Sequence, residues 1–201
     1  MARRTRWATV QRAAEALFAA NGFTNASLAQ LAHRARVSKP GIYYHVRDKD
    51  ELLYRICDDG MRELLRRTRA AVARGGDPVA RLRGVLRTHA ALCLEQPHTL
   101  AVLFGQIRYL SPARRARVMA VERAYLELVR RVVRAGQRRG LFRAVDPSVA
   151  AFSLFAILNT LDGWYTPRGR LGPGELVDAL ETLYLDGLTR PRRRRRRAPR
   201  A

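Results

Sequence analysis

Helix-start signals recur along the whole chain, and no alternating strand pattern interrupts them. Asp77-Pro78, Gln96-Pro97, Ser111-Pro112, Asp146-Pro147 and Gly172-Pro173 each precede a stretch with apolar residues at helical spacing. Proline fits the first turn of a helix, where its missing N–H costs nothing. Val10, Ala13, Ala14, Leu17 and Phe18 show the same spacing near the start. Asn21-Gly22 ends that segment, with Gly22 suited to the left-handed position after a helix. The expectation is an all-α protein of about nine helices. With 201 residues, 47% of them hydrophobic, a substantial core is possible. No apolar run approaches the roughly 18 residues that span a bilayer. The basic N-terminus becomes an amphipathic helix pattern rather than a signal peptide. A cytoplasmic protein with no membrane partner is expected.

The first third is punctuated more closely. Ser27 is placed to cap a helix LAQLAHRA, with Gln30 in the capping-box position. Arg36-Val37 forms a turn, Ser38 caps a third helix with Pro40 in its first turn, and Asp48 caps a fourth with Glu51 three residues on. The fourth is expected to run to about Ala73, before Gly75-Gly76. Two short helices joined by a tight turn after a longer one make a helix-turn-helix, whose second helix enters the major groove. In VSKPGIYYHVRDKDEL, residues 37–52, Val37, Ile42 and Val46 supply the apolar side. Tyr43, Tyr44 and His45 are consecutive and cannot all face one core, since helical neighbours sit about 100° apart. They are expected to fan outward, toward phosphates on both groove walls. Lys39 and Gly41 stand at the leading end, and Ser27 with the start of the second helix offers another phosphate site.

The net charge of +22 and pI near 11.6 favour a polyanion partner, most often nucleic acid. Arg outnumbers Lys by 37 to 2, so no single Arg is a strong signal. Part of the excess lies in Pro191 to Ala201, a low-complexity basic segment expected to be disordered. Three regions follow: residues 1–50 as a helix-turn-helix domain, 51–190 as a larger helical domain, and 191–201 as a tail.

From about Ala13 to Leu53, through LFAANGFTNASLAQLAHRARVSKPGIYYHVRDKDELL, the chain resembles the DNA-binding domain of the TetR/AcrR family of one-component transcriptional regulators. The resemblance rests on the Gly-Phe turn, Ser27 before the second helix, Val37-Ser38 and the Tyr–x–x–Val–x–x–Lys–x–x–Leu ending. It implies that Tyr43 and Lys49 clamp phosphates and that Lys39, Gly41 and Tyr44 lie nearest the bases. It further implies a homodimer on a double-stranded operator, with a C-terminal domain that binds a small effector and dimerises.

The C-terminal region has its own distinctive stretch, ILNTLDGWYTPRGRLGPGELVDALETLYLDGL. Ala151, Phe155, Leu158, Asp162 and Tyr165 make one stripe, with Phe152, Asn159 and Gly163 beside it. A buried Asn or Asp without a partner costs on the order of 1–3 kcal/mol, so Asn159 and Asp162 need partners. Asn159 either ties neighbouring helices together or meets a ligand; Trp164 and Tyr165 either plug a helix end or wall a pocket. The order Asn, Trp-Tyr, Pro, Gly and a final Leu-x-x-x-Gly-Leu, together with Arg108 to Arg143, is similar to regulators of fatty-acid and steroid catabolism that respond to acyl-CoA thioesters. Thr160 to Gly163 departs from that branch. The resemblance implies release from DNA by a long-chain or polycyclic acyl-CoA. Phe104 and Phe155 would line the acyl slot, Asn159 would meet the thioester arm, Trp164 would close the site, and Arg108 is among the arginines available for phosphates. Leu176, Leu180, Leu183, Tyr184 and Leu188 follow helical spacing and are expected to pair with their symmetry mates in an intersubunit four-helix bundle.

Nothing here points to catalysis. Cys57 and Cys93 are far apart and read as small core residues. His33, His45, His89 and His98 have no metal-binding spacing, and no GxSxG, Walker A or GxGxxG motif is present. Neither a cofactor nor a metal is expected. The alternative to a lipid-responsive repressor is a drug- or antibiotic-responsive repressor of an efflux transporter. A non-specific nucleoid-type DNA binder would account for the charge but not for the helix-turn-helix or the large apolar domain.

Overall fold

A computed structural model describes residues 2–189, with side chains from residue 7 onward. The basic tail lies outside the described residues. Ten α-helices and one 3₁₀ turn are present among the described residues, with no strand beyond an isolated bridge between Phe142 and Thr189.

The head is α1 (Ala2–Asn25), α2 (Leu28–Ala35) and α3 (Lys39–Tyr43). Helix α1 starts earlier than its apolar pattern suggests, and its regular part ends at Gly22, whose φ of 75° and ψ of 158° break the helix as expected. The Ser27 side chain accepts from the Gln30 N–H at 3.1 Å, and the Ser27 N–H donates to Gln30 Oε1 at 2.8 Å, completing the capping box. Arg36, at φ 53°, turns the chain, and Ser38 Oγ accepts from the Gly41 N–H at 3.2 Å to start α3. Val10, Leu17, Phe18, Leu31, Ile42 and Val46 are buried together.

Helix α4 (Lys49–Ala73) starts at the Asp48 cap and runs unbroken from the head into the body, over the span expected. The body adds α5 (Pro78–Glu95), α6 (Pro97–Gln106), α7 (Pro112–Arg138), α8 (Pro147–Asn159), α9 (Leu161–Trp164) and α10 (Pro173–Leu188). Each of α5 to α8 and α10 starts on the predicted proline. The short α9 accounts for the extra helix. Sequence spacing suggests one helix through Tyr165, but the Thr160 hydroxyl donates to Ala156 O and Ile157 O and the backbone bends there. Ile107–Tyr109 likewise tightens into the 3₁₀ turn after α6.

Head and body meet at one junction. Gln106 Oε1 accepts the Phe23 N–H at 3.0 Å, and the Tyr109 ring stacks on Phe23 with centroids 5.9 Å apart. Arg114, on the first turn of α7, pairs with Asp50 and, at 3.1 Å, with Asp48. The Ser111 N–H donates to Asp50 Oδ1 at 3.1 Å. The end of α6 and the start of α7 therefore hold both the turn after α1 and the start of α4.

Candidate DNA-reading surface and effector site

Ser38, Lys39, Tyr43 and Tyr44 are exposed on one end of the head, Tyr43 at 49% and Tyr44 at 67%. Large aromatic rings that exposed in a packed three-helix unit mark a candidate contact surface. The hydroxyls of Ser27 and Ser38 already accept cap hydrogen bonds, yet each keeps its O–H to donate. Gly41 has a second reason to be glycine: a Cβ there would lie 3.2 Å from Ser38 Oγ and crowd the cap. His33 and Arg34 on α2, Arg36 in the turn before α3 and Arg47 after it are exposed as well. Arginine is so common in this chain that composition gave these residues no distinction; only their position does.

Two of the expected residues have partners within the head itself. His45 does not fan outward. It is half-buried, with its ring 5.7 Å from that of Trp7 and 5.3 Å from that of Tyr44. Helix α3 ends at Tyr43 with Tyr44 still at helical φ and ψ, and the His45 N–H tightens onto Ile42 O at 2.9 Å as the chain turns back toward α1. The Lys49 ammonium is turned to the backbone of the head. Nζ donates to Phe23 O and Ala26 O, both at 2.7 Å, and to Thr24 O at 3.3 Å, and lies 4.4 Å from the centre of the Phe23 ring. An ammonium has three N–H groups, so these carbonyls occupy all of them. Burial holds its pKa below the usual lysine range.

In the body, four rings from four helices converge: His89 on α5, Phe104 on α6, Tyr125 on α7 and Phe155 on α8. Phe104 and Phe155 meet edge to face with centroids 5.3 Å apart, so the slot expected between them is filled by the rings themselves. His89 and Tyr125 are wholly buried, and His89 Nδ1 is 2.9 Å from the Tyr125 hydroxyl. Burial pulls the His89 pKa down to about 3, partly offset by Asn159, so the ring is neutral at ordinary pH. His89 Nε2 and Asn159 Oδ1 are both buried and meet no good partner besides each other, the Asn159 side chain being the hydrogen-bonding group that acts on His89. His89 was missed at the sequence level because a lone histidine in an apolar helix, THAALC, carries no spacing signal.

Asn159 also lines a cavity of about 80 Å³ with Cys93, Leu100, Leu158 and Tyr165. Trp164 is not part of that wall: it is 56% exposed, and Tyr165 takes the lining position. Arg108 is exposed in the 3₁₀ turn with its guanidinium 5.0 Å from the centre of the Tyr109 ring. It therefore belongs to the head–body junction rather than to the aromatic cluster. Cys57 and Cys93 are buried free thiols, both pushed up to about 12 by burial, which suits core packing.

A second apolar surface lies on the outside of α8 and α10. Val149 (64%), Phe152 (48%), Ile157 (38%) and Leu183 (75%) are exposed there, beside a groove of about 430 Å³. Leu176, expected on this face, is buried in the chain's own core instead, and Leu188, also buried, lines the floor of the groove. Tyr184 donates its hydroxyl to Ala150 O at 2.6 Å and fastens α10 to α8.

Residues 11–56 match the profile of bacterial regulatory proteins of the tetR family, and residues 75–188 match the tetracyclin repressor-like C-terminal domain. A transcriptional regulator of the TetR/AcrR family from Thermobifida fusca is 31% identical over 93% of this chain and 98% of its own, with a TM-score of 0.71. The chain belongs to the TetR family. AibR, whose structure holds isovaleryl coenzyme A and operator DNA, is 26% identical over 89% of this TetR-family chain and 97% of its own, at a TM-score of 0.82. The ketosteroid regulator KstR2 of Mycobacterium tuberculosis shares the fold at a TM-score of 0.84, with 20% identity over 90% of this chain and 94% of its own. This TetR-family chain thus joins a DNA-binding head to a helical regulatory body.

Proposed function

We propose that this protein is a cytoplasmic, homodimeric repressor of lipid-catabolism genes that leaves its operator when an acyl-CoA enters the body. The observation that carries the effector reading is a cavity lined by Asn159, whose side chain also meets His89 of the buried ring cluster, in a chain similar to the isovaleryl-CoA-bound AibR. The cavity favours a short acyl group over the long or polycyclic one expected from sequence. At about 80 Å³ it is small beside the roughly 300–1,000 Å³ of pockets that take whole drug-sized ligands. A larger group has to part Phe104 from Phe155.

A route from this site to the head is supported by the contacts. Helix α6 lends Leu100 and Ala101 to the cavity and Phe104 to the ring cluster, then ends at Gln106 on the Phe23 N–H. An effector that binds one arrangement of α6 better than the other shifts the population toward it. The two heads of a dimer must sit about 34–36 Å apart for successive major grooves, so a small rotation of each is enough to lose the operator.

Gel shifts with the DNA flanking the gene, against random duplex as competitor, test the whole reading. Binding should be site-specific, and isovaleryl-CoA should release it while free CoA and free acid act poorly. Lys39→Ala should lower discrimination between sites as well as affinity, and Tyr43→Phe should weaken all sequences alike. Release by an uncharged drug-like compound, with no response to any acyl-CoA, would establish the exporter reading instead.

Dimerisation through the α8–α10 face has its own test. Leu183 is 75% exposed, so Leu183→Arg should leave the fold intact. In the dimer it would bury unpaired charge and raise the dissociation constant on the order of 100-fold. Sedimentation of wild type and variant reads this directly; identical self-association would move the interface elsewhere.

A further inference from the structure

We propose that Arg114 sets the tilt of the head on the body, and with it the spacing between the two half-sites that the dimer accepts. This rests on the reading of the protein as a dimeric operator binder and adds the residue that fixes its geometry.

The holds converge on the first turn of α4, at four consecutive residues. The Asp48 side chain caps the helix by accepting the Glu51 N–H, and it also accepts from Arg114 Nη1 at 3.1 Å. Lys49 Nζ grips the turn after α1. Asp50 takes Arg114 Nη1 on one oxygen and the Ser111 N–H, at 3.1 Å, on the other. Glu51 accepts the Arg47 N–H, just after α3, at 2.8 Å. Lys49 and Glu51 therefore tie α4 to the rest of the head, while Asp48 and Asp50 tie it to the start of α7. Gln106, five residues before Ser111, holds the Phe23 N–H. The head is thus gripped at two places, the turn after α1 and the start of α4. Two grips fix an angle where either alone would leave a pivot. The Arg114 side chain is 24% exposed and that of Asp50 28%. A pair this open adds little to stability, because water screens it. What it constrains is direction, since a guanidinium donates only along its planar, fixed N–H bonds. Direction matters at the DNA: one base pair more or less between half-sites changes their separation by about 3.4 Å and their relative rotation by about 35°.

The probe is the operator that the full-length protein selects from random duplex, with one base pair added or removed at its centre. Wild type should lose about tenfold or more in affinity with either change. In Arg114→Ala that loss should shrink to about threefold or less, while a base substitution within a half-site costs the variant as much as it costs wild type. Arg114→Lys keeps a cation without the planar fork and should recover part of the spacing penalty. Asp50→Asn keeps an acceptor for the Ser111 N–H and weakens only the pair, so it should shift the penalty the same way even if Arg114→Ala does not fold. A wild type indifferent to spacing, or a full spacing penalty in both Arg114→Ala and Asp50→Asn, overturns the assignment and leaves the operator reading standing. So does a fall of spacing and base penalties together, which would mark a general loss of fit. A slope of log affinity against log salt lowered by about one in Arg114→Ala would make the residue a phosphate contact instead and overturn it as well. Selection of no operator by wild type overturns both readings together.

Discussion

Gly136→Ala should lower the melting temperature by about 6–12 °C, although it adds a single methyl group inside a helix. Elsewhere in a helix this exchange usually stabilises, by roughly 0.5–1 kcal/mol. Here an added Cβ would stand 2.1 Å from Phe142 Cδ2 and 2.3 Å from Cε2. The ring has nowhere to retreat. It is 1% exposed, and its own N–H donates back to Gly136 O at 3.3 Å, alongside that of Leu141 at 2.9 Å. Across the bridge to Thr189, the Arg143 N–H donates to Leu188 O at 2.9 Å. Overpacking of this kind costs about 3 kcal/mol or more. The loss should be felt at the end of α10, so self-association should weaken along with stability. Gly105→Ala is the control, because nothing lies within 4 Å of the Cβ it would add in α6. Thermal melts of the two variants should move in opposite directions or differ by several degrees. A Gly136→Ala protein that melts with wild type would mean the Phe142 ring moves freely.

Lys49→Ala should cost on the order of 2 kcal/mol of stability and weaken DNA binding without changing its salt dependence. The ammonium ties three carbonyls of the turn after α1 to the first turn of α4, and the Phe23 and Ala26 carbonyls are partly buried. Removing it strands acceptors and loosens α2 and α3 relative to α4. A phosphate contact behaves differently: its loss lowers the slope of log affinity against log salt by about one and leaves the fold alone. Melting curves and gel shifts at several salt concentrations separate the two. A reduced slope with an unchanged melting temperature would return Lys49 to the DNA.

Lys49 also shows where reading a sequence runs out. Its place in the motif is plain, but its partners lie 23 to 26 residues away, and only the folded head brings those carbonyls under its ammonium. The helix starts were legible because a cap is local. Ser27 reaches Gln30, Ser38 reaches Gly41 and Asp48 reaches Glu51 whatever the rest of the chain does. The same holds for the prolines that open α5 to α8 and α10. The exposed pair Tyr43 and Tyr44 followed from helical geometry alone. The effector site did not. Phe104 and Phe155 were rightly placed in one interior, but whether two apolar rings bound a slot or fill it depends on the distance between helices, which no spacing encodes. His89 became visible only when α7 supplied Tyr125 and α8 supplied Asn159. Helix α10 carries apolar residues on two sides. Sequence spacing could not say that Leu176 and Leu188 belong to the core and Leu183 to the surface, because that depends on where α5 and α8 lie against it. Local hydrogen bonds and period determined the elements; the docking of those elements decided which side chains still have a group left to offer.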